Sequence, residues 1–164
     1  MGSAMGKLSA GILFYRRRED GVEVLLVHPG GPFWARRDEG AWSIPKGEFV
    51  EGEEDAELAA RREFTEETGW TFEGPLQPLG RIRQAGGKVV VAFAAEADFD
   101  PATLVSNLFE MEWPPRSGRM QAFPEVDKAA WFALPEAADR ILAGQRPLLD
   151  AVAALTGVSQ PPRQ

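Results

Sequence analysis

The chain has no cysteine among its 164 residues. That excludes disulfides, thiolate nucleophiles and zinc-thiolate sites, and it sits comfortably with a reducing, cytoplasmic setting. Histidine is nearly as scarce. The single one, His28, reads as an ordinary polar residue closing a strand, with no catalytic role. Long apolar runs are missing too: the longest, Val89 to Ala95, is far too short to span a bilayer, and no charged-then-apolar signal segment opens the chain. No membrane partner is therefore expected. Basic charge is in deficit, with a formal net charge of −7 and a pI near 4.8, which argues against a broad grip on nucleic-acid backbone. A small phosphorylated ligand stays compatible, because a bound divalent cation reverses the local sign of an acidic site. Internal repeats and low-complexity segments are also lacking, and no phosphate-loop signature surrounds Gly86-Gly87.

What is present is an ordinary globular composition, 44% hydrophobic and 26% charged, of a length that suits one domain. The opening MGSAMG reads as an added remnant before a start at Met5, leaving residues 7–158 as the domain and 159–164 as a tail. Residues 8–16 and 22–28 are β-rich runs joined through Asp20-Gly21, a strong hairpin signal. The Gly/Pro-rich stretch 29–41 reads as a surface loop carrying Phe33, Trp34 and Arg36-Arg37. A third short apolar piece, Trp42 to Ile44, precedes Pro45-Lys46-Gly47 and a helix. A second hairpin is predicted over 79–84 and 88–98, turning at Gly86-Gly87. Residues 99–127 read as one long loop with apolar anchors. A last strand over 129–134 and two helices over 134–142 and 146–155, each with Pro near its start, complete a mixed sheet with helices on its faces.

The helix between these halves carries an electrostatic puzzle. Glu63, Glu66 and Glu67 stand at i, i+3 and i+4, so three like charges share one face, each pair costing roughly a few tenths of a kcal/mol on an isolated helix. They also crowd the end that precedes Gly69, where the helix macrodipole is negative. Acids there need compensation, and a hard divalent cation would supply it, since Mg²⁺ prefers carboxylate and carbonyl oxygens.

The stretch Gly47, Arg62-Glu63-Phe64, Glu66-Glu67, Gly69-Trp70 resembles the Nudix hydrolase box, G-x5-E-x7-R-E-U-x-E-E-x-G-U with U apolar. The second half matches without a gap, while the first contains one extra residue. An insertion inside a helix would rotate everything before it by about 100°, whereas a loop absorbs it cheaply. Glu54 is therefore the preferred box Glu, with Glu53 as the alternative and Asp55 as the expected N-cap.

The resemblance implies an α/β/α sandwich with a mixed β-sheet. It also implies Mg²⁺ or Mn²⁺ held by Glu63, Glu66, Glu67 and the carbonyl of Gly47, with Arg62 steadying the acids. The implied activity is hydrolysis of a nucleoside diphosphate linked to a moiety X, including dinucleoside polyphosphates or (d)NTPs, by a metal-activated water. The general base is either a box Glu such as Glu54 or a later one, for which Glu125 is favoured over Glu110 and Glu112. Lys46, Trp34 and Arg81 are the expected substrate contacts, Arg83 and Arg119 further candidates, and a monomer or homodimer is expected. Two other classes compete: a Nudix-fold module that binds a nucleotide without turnover, and an interaction domain whose acidic helix meets a basic partner.

Overall fold

A computed structural model describes residues 8–158; the opening remnant and the tail expected from sequence lie outside them. Strand β1 (Leu8–Arg18) turns into β2 (Gly21–Pro29) with Arg18 paired to Gly21, the predicted hairpin. Then come β3 (Lys46–Phe49), helix α1 (Ala56–Thr68), β4 (Gln77–Arg83) and β5 (Val89–Glu96). Strands β6 (Leu108–Glu112), β7 (Met120–Pro124) and β8 (Val126–Ala133) lead to α2 (Leu134–Arg140) and α3 (Arg146–Thr156). Among the described residues no helix is long and apolar enough to cross a membrane.

The main sheet runs β4-β5-β1-β2-β8, with β1 and β5 parallel and the other pairs antiparallel. Strand β1 is buried on both faces along its first eight residues, as a strand covered by helices on each side must be. Its side chains alternate accordingly. Ala10, Ile12 and Phe14 join the core beneath α1, where Ala59, Ala60 and Phe64 pack; Leu13 and Tyr15 join the opposite core, closed by Leu134, Leu148, Leu149 and Val152 of α2 and α3. The result is the expected α/β/α sandwich.

One edge of β1 is shared. Its outer end pairs with β2 and its inner end with β3, so the two strands part and residues 43–45 wedge between them. The Ile12 amide donates to the Pro45 carbonyl (3.2 Å) and the Val27 amide to that of Ser43 (2.8 Å). Gly11 permits this approach, because a Cβ there would sit 2.6 Å from both the Pro45 oxygen and Lys46 Cβ. From the other layer the buried Gln145 side chain accepts from the Ile44 amide (3.0 Å) and donates to Ser43 Oγ (3.0 Å).

Three expectations need correction. The third strand is Lys46–Phe49 rather than Trp42 to Ile44, since Trp42 and Ser43 make only single bridges while the wedge hands pairing on to the next residues. Residues 99–127 are not one loop: β6 and β7 form a separate two-stranded hairpin, and its exposed positions on both strands masked the alternation that marks a half-buried strand. The last strand starts earlier, at Val126.

Helix α1 begins as expected. Asp55 caps it in extended backbone, its carboxylate accepting from the amides of Glu57 (3.1 Å) and Leu58 (3.4 Å), and Gly69 ends it at φ 79°. Asp55→Ala should cost about 1 kcal/mol in chemical denaturation; a loss below ~0.3 kcal/mol would show the cap to be dispensable.

Candidate active site

The last two turns of α1 face β3, and the distances show what offsets the crowded acids. Arg62 grips Glu54 with two bonds (2.9 and 2.8 Å) and reaches Glu63 (2.7 Å) and Glu66 (3.1 Å) with its third nitrogen. The pairing keeps the Arg62 guanidinium charged well past its ordinary range and holds the Glu54 carboxyl below the usual one. Glu54, not Glu53, is thus the acid that Arg62 holds, and the extra residue lies in the loop ahead of Asp55.

Glu67 lies apart from this network, accepting from the Lys46 backbone amide (3.2 Å). Burial, helped by the charges of Glu125 and Glu63, pushes its carboxyl up to about 8 against the opposing pull of Lys46. Burial likewise raises Glu63, with the charge of Glu66 adding to it. The Lys46 ammonium is lowered by desolvation, which outweighs its attraction to Glu67. Gly47 faces Glu63 directly: a Cβ at Gly47 would fall 1.8 Å from Glu63 Oε1, so only glycine lets β3 pass this close.

Glu125, in the link between β7 and β8, is raised by burial and then by the charges of Glu63 and Glu66. Its position is set by a residue the sequence did not single out. The Asn107 amide donates to the Glu66 carbonyl (3.1 Å) and the Asn107 carbonyl accepts from the Glu125 amide (2.8 Å). Together with Val105, whose amide donates to the Thr68 carbonyl (2.9 Å), it satisfies carbonyls that every helix end leaves open. The signal was a polar Ser106-Asn107 pair inside a stretch without periodicity, too weak to read.

Gly47, Glu54, Arg62, Glu63, Glu66, Glu67, Lys46 and Glu125 are therefore brought together. Trp34 is not with them. It packs on the core beneath α2 and α3, with the Arg37 guanidinium 5.6 Å over its ring. Arg81 turns to Glu51 (2.9 Å), on the rim of an open cleft of about 450 Å³ shared with Glu53 and Phe49. Glu112 is occupied by the Gly118 amide (2.7 Å), and Arg83 reaches the Gly87 carbonyl (3.5 Å). His28 is buried between Asp127 and the Arg37 carbonyl, a structural position. Among the described residues no three acids stand as a ready-made metal cage: Glu63 and Glu66 share one Arg62 nitrogen, while Glu67 turns to the Lys46 amide.

A family profile described as NUDIX domain matches residues 5–152. The chain belongs to the Nudix family. Within that family it is 45% identical over 85 residues to an RNA pyrophosphohydrolase of Caulobacter vibrioides, an alignment covering 49% of this chain and 45% of the relative. The chain thus spans about half the length of the curated relatives it matches. The NUDIX domain of Shewanella oneidensis NrtR, solved in complex with ADP ribose, superposes with a TM-score of 0.61 at 19% identity, over 90% of this chain and 86% of that one. A C. elegans Ap4A hydrolase binary complex gives 0.59 at 25% identity, over 92% and 98%. The Nudix fold thus extends over the flanking strands and helices as well as the box.

Proposed function

We propose that the chain is a metal-dependent Nudix pyrophosphohydrolase that cleaves the pyrophosphate linkage of a nucleoside diphosphate bonded to X, with dinucleoside polyphosphates and (d)NTPs as the leading substrates. The observation that carries this reading is the placing of Glu63, Glu66 and Glu67 on one helix end facing β3, with Arg62 bonded to the first two, the Lys46 amide to the third, and Gly47 against Glu63. Carboxyl groups that burial pushes upward, with neighbouring acid charge adding to it, suit a hard divalent cation, and every donor offered is oxygen. Arg62 holds Glu63 and Glu66 by one bond each but Glu54 by two, so releasing the first pair leaves the guanidinium neutralised. Gly47, through its carbonyl, and Glu63, Glu66 and Glu67 would hold Mg²⁺ or Mn²⁺. Bound there, the cation would neutralise phosphate charge and lower the pKa of a water.

The chain's own groups then orient and deprotonate. Glu125 takes the proton of the attacking water, Glu54 being the alternative base only if a released Glu63 or Glu66 returns to Arg62 in its place. The water oxygen bonds to phosphorus and the bridging oxygen leaves with the departing phosphate. Lys46, half-buried beside Glu67, is placed to contact a phosphate as a point charge. Trp34 and Arg81 would take part only at the periphery. A binding module without turnover would have no use for a full set of box acids, and all of them are present. The acidic chain favours a small nucleotide over a nucleic acid. The name of the Caulobacter relative nonetheless puts a triphosphorylated RNA end in the substrate panel.

The test is phosphate and nucleotide release from NTPs, dinucleoside polyphosphates, ADP-ribose, nucleotide sugars and 5′-triphosphorylated RNA, with Mg²⁺, with Mn²⁺ and with EDTA. Turnover that EDTA abolishes is expected; EDTA-resistant turnover, or none on any substrate, would overturn the reading. Gly47→Ala should lower the metal-dependent rate roughly 10- to 100-fold while shifting Tm little. The three atoms nearest the new methyl all belong to the Glu63 side chain, which must swing away from β3, so a ligand is displaced while the nearest obstacle is not backbone. A large Tm loss with an unchanged rate would contradict this.

A further inference from the structure

Gln145 closes the short turn between α2 and α3 and has no exposed surface. A buried amide needs partners for its oxygen and for both of its hydrogens, and Gln145 finds all of them in other segments. Its Oε1 accepts from the Ile44 amide (3.0 Å), while Nε2 donates to Ser43 Oγ (3.0 Å) and to Gln84 Oε1 (3.1 Å). The orientation has one solution, because the Ile44 amide can only donate and Ser43 spends its own hydrogen on the Ile44 carbonyl (2.7 Å).

The turn that carries Gln145 is itself laced to the segment ahead of β3. The Gly40 amide donates to the Asp139 carbonyl (3.0 Å), the Trp42 amide to that of Arg140 (2.9 Å), and the Leu142 amide to that of Trp42 (2.8 Å). Those are backbone bonds open to any sequence; the Gln145 side chain carries the seam on to Ile44. Beyond Ile44 the chain has little freedom. Pro45 fixes its own φ, and its carbonyl takes the Ile12 amide (3.2 Å). The next residue, Lys46, offers its amide to Glu67 (3.2 Å), and Gly47 passes so near Glu63 that β3 has no room to move toward α1. Ile44 therefore sets, two residues away, the backbone on which Glu67 leans.

We infer that Gln145 is a positioning residue for the acid cluster, holding Ile44 so that the Lys46 amide and Gly47 meet Glu67 and Glu63. The layer opposite α1 thereby takes part in setting the geometry of the site. A side chain without the amide would leave the Ile44 N–H buried and unpaired, a strain that the chain relieves by moving this segment. The inference rests on the hydrolase reading for the metal, and not for the placing of β3.

The experiment compares wild type with Gln145→Met, which keeps the length and loses the polar atoms, and with the double variant Ser43→Ala/Gln84→Met, which strips Nε2 of its partners and spares Gln145. Three quantities are read at a temperature where each protein is folded: metal-free amide hydrogen exchange, Mn²⁺ affinity by titration, and hydrolysis of the nucleotide that wild type cleaves fastest. In Gln145→Met the Ile44 and Lys46 amides should exchange roughly ten-fold faster while those of α1 stay as they are. Mn²⁺ affinity and turnover should fall roughly ten-fold. The double variant should move Lys46 in the same direction by less, and it decides the matter if Gln145→Met does not fold. Lys46 exchange unmoved in a folded variant overturns the inference even if Tm falls, and so does an unmoved Mn²⁺ affinity where wild type binds Mn²⁺. Faster Lys46 exchange in a protein whose wild type neither binds Mn²⁺ nor cleaves would uphold Gln145 and defeat the hydrolase reading. Metal-dependent turnover that both variants keep in full would do the reverse.

Discussion

Glu67→Gln should lower turnover by roughly a thousand-fold or more and at the same time make the metal-free protein more stable. The loss of rate follows from removing a carboxylate proposed to hold the cation, whose charge stabilisation is worth several kcal/mol at about 1.4 kcal/mol per ten-fold. The gain in stability follows from burial, which pushes the Glu67 carboxyl from 4.5 up to about 8. Between those two values the folded chain binds more protons than the unfolded one, so stability falls as pH rises through the window. Below the lower value both states are protonated and the full stability is present; above the upper value the slope vanishes. Glutamine keeps the acceptor for the Lys46 amide and removes the titration. A Tm gain on the order of a few °C near pH 8, shrinking toward zero near pH 4, is expected. Equal Tm shifts at both pH values would show that the Glu67 titration is not the cause. A rate within ten-fold of wild type would remove Glu67 from the metal site.

Phe64→Ala should cost about 3–5 kcal/mol, a large part of the ~5–15 kcal/mol that a domain has. Phe64 is fully buried and contacts Phe14 (4.6 Å), Phe99 (5.3 Å) and Trp70 (6.1 Å) between ring centroids. It is also the one large side chain by which α1 is seated, since Ala59 and Ala60 fill the rest of that face. Urea denaturation reads the loss directly. Under 1.5 kcal/mol would mean that neighbouring rings collapse into the space and that α1 is anchored elsewhere.

Much of this arrangement was legible beforehand because local chemistry dictates it. Asp55 and Gly69 bound α1 through cap geometry that depends on residues adjacent in sequence. The hairpin at Asp20-Gly21 is equally local, and so is the placing of the inserted residue ahead of Asp55. What escaped prediction depends on contacts between distant segments. Strand β3 is displaced to Lys46–Phe49 because β1 and β2 part around residues 43–45, which no window around Trp42 reveals. Hairpin β6-β7 lacks a buried face, so its alternation carried no signal. Asn107 acts through backbone atoms that any residue has. Trp34 looked like the ring available to a ligand and Phe33 like its equal, yet only packing decides which of two adjacent aromatics is spent on the core.

The sharing of the β1 edge also bears on when the site comes into being. Strand β1 finds its parallel partner β5, and β2 its partner β8, only after most of the chain exists, so these are non-local pairings of the kind that form slowly. Helix α1 is synthesised between them with its acids repelling one another, and a helix of 13 residues is marginal alone even without such a burden. Its formation therefore awaits docking of Phe64 onto β1. The carboxylates therefore take their places only once β1 is a formed surface, and a nascent chain released before β5 emerges would carry the whole box sequence while β1 lacks its parallel partner.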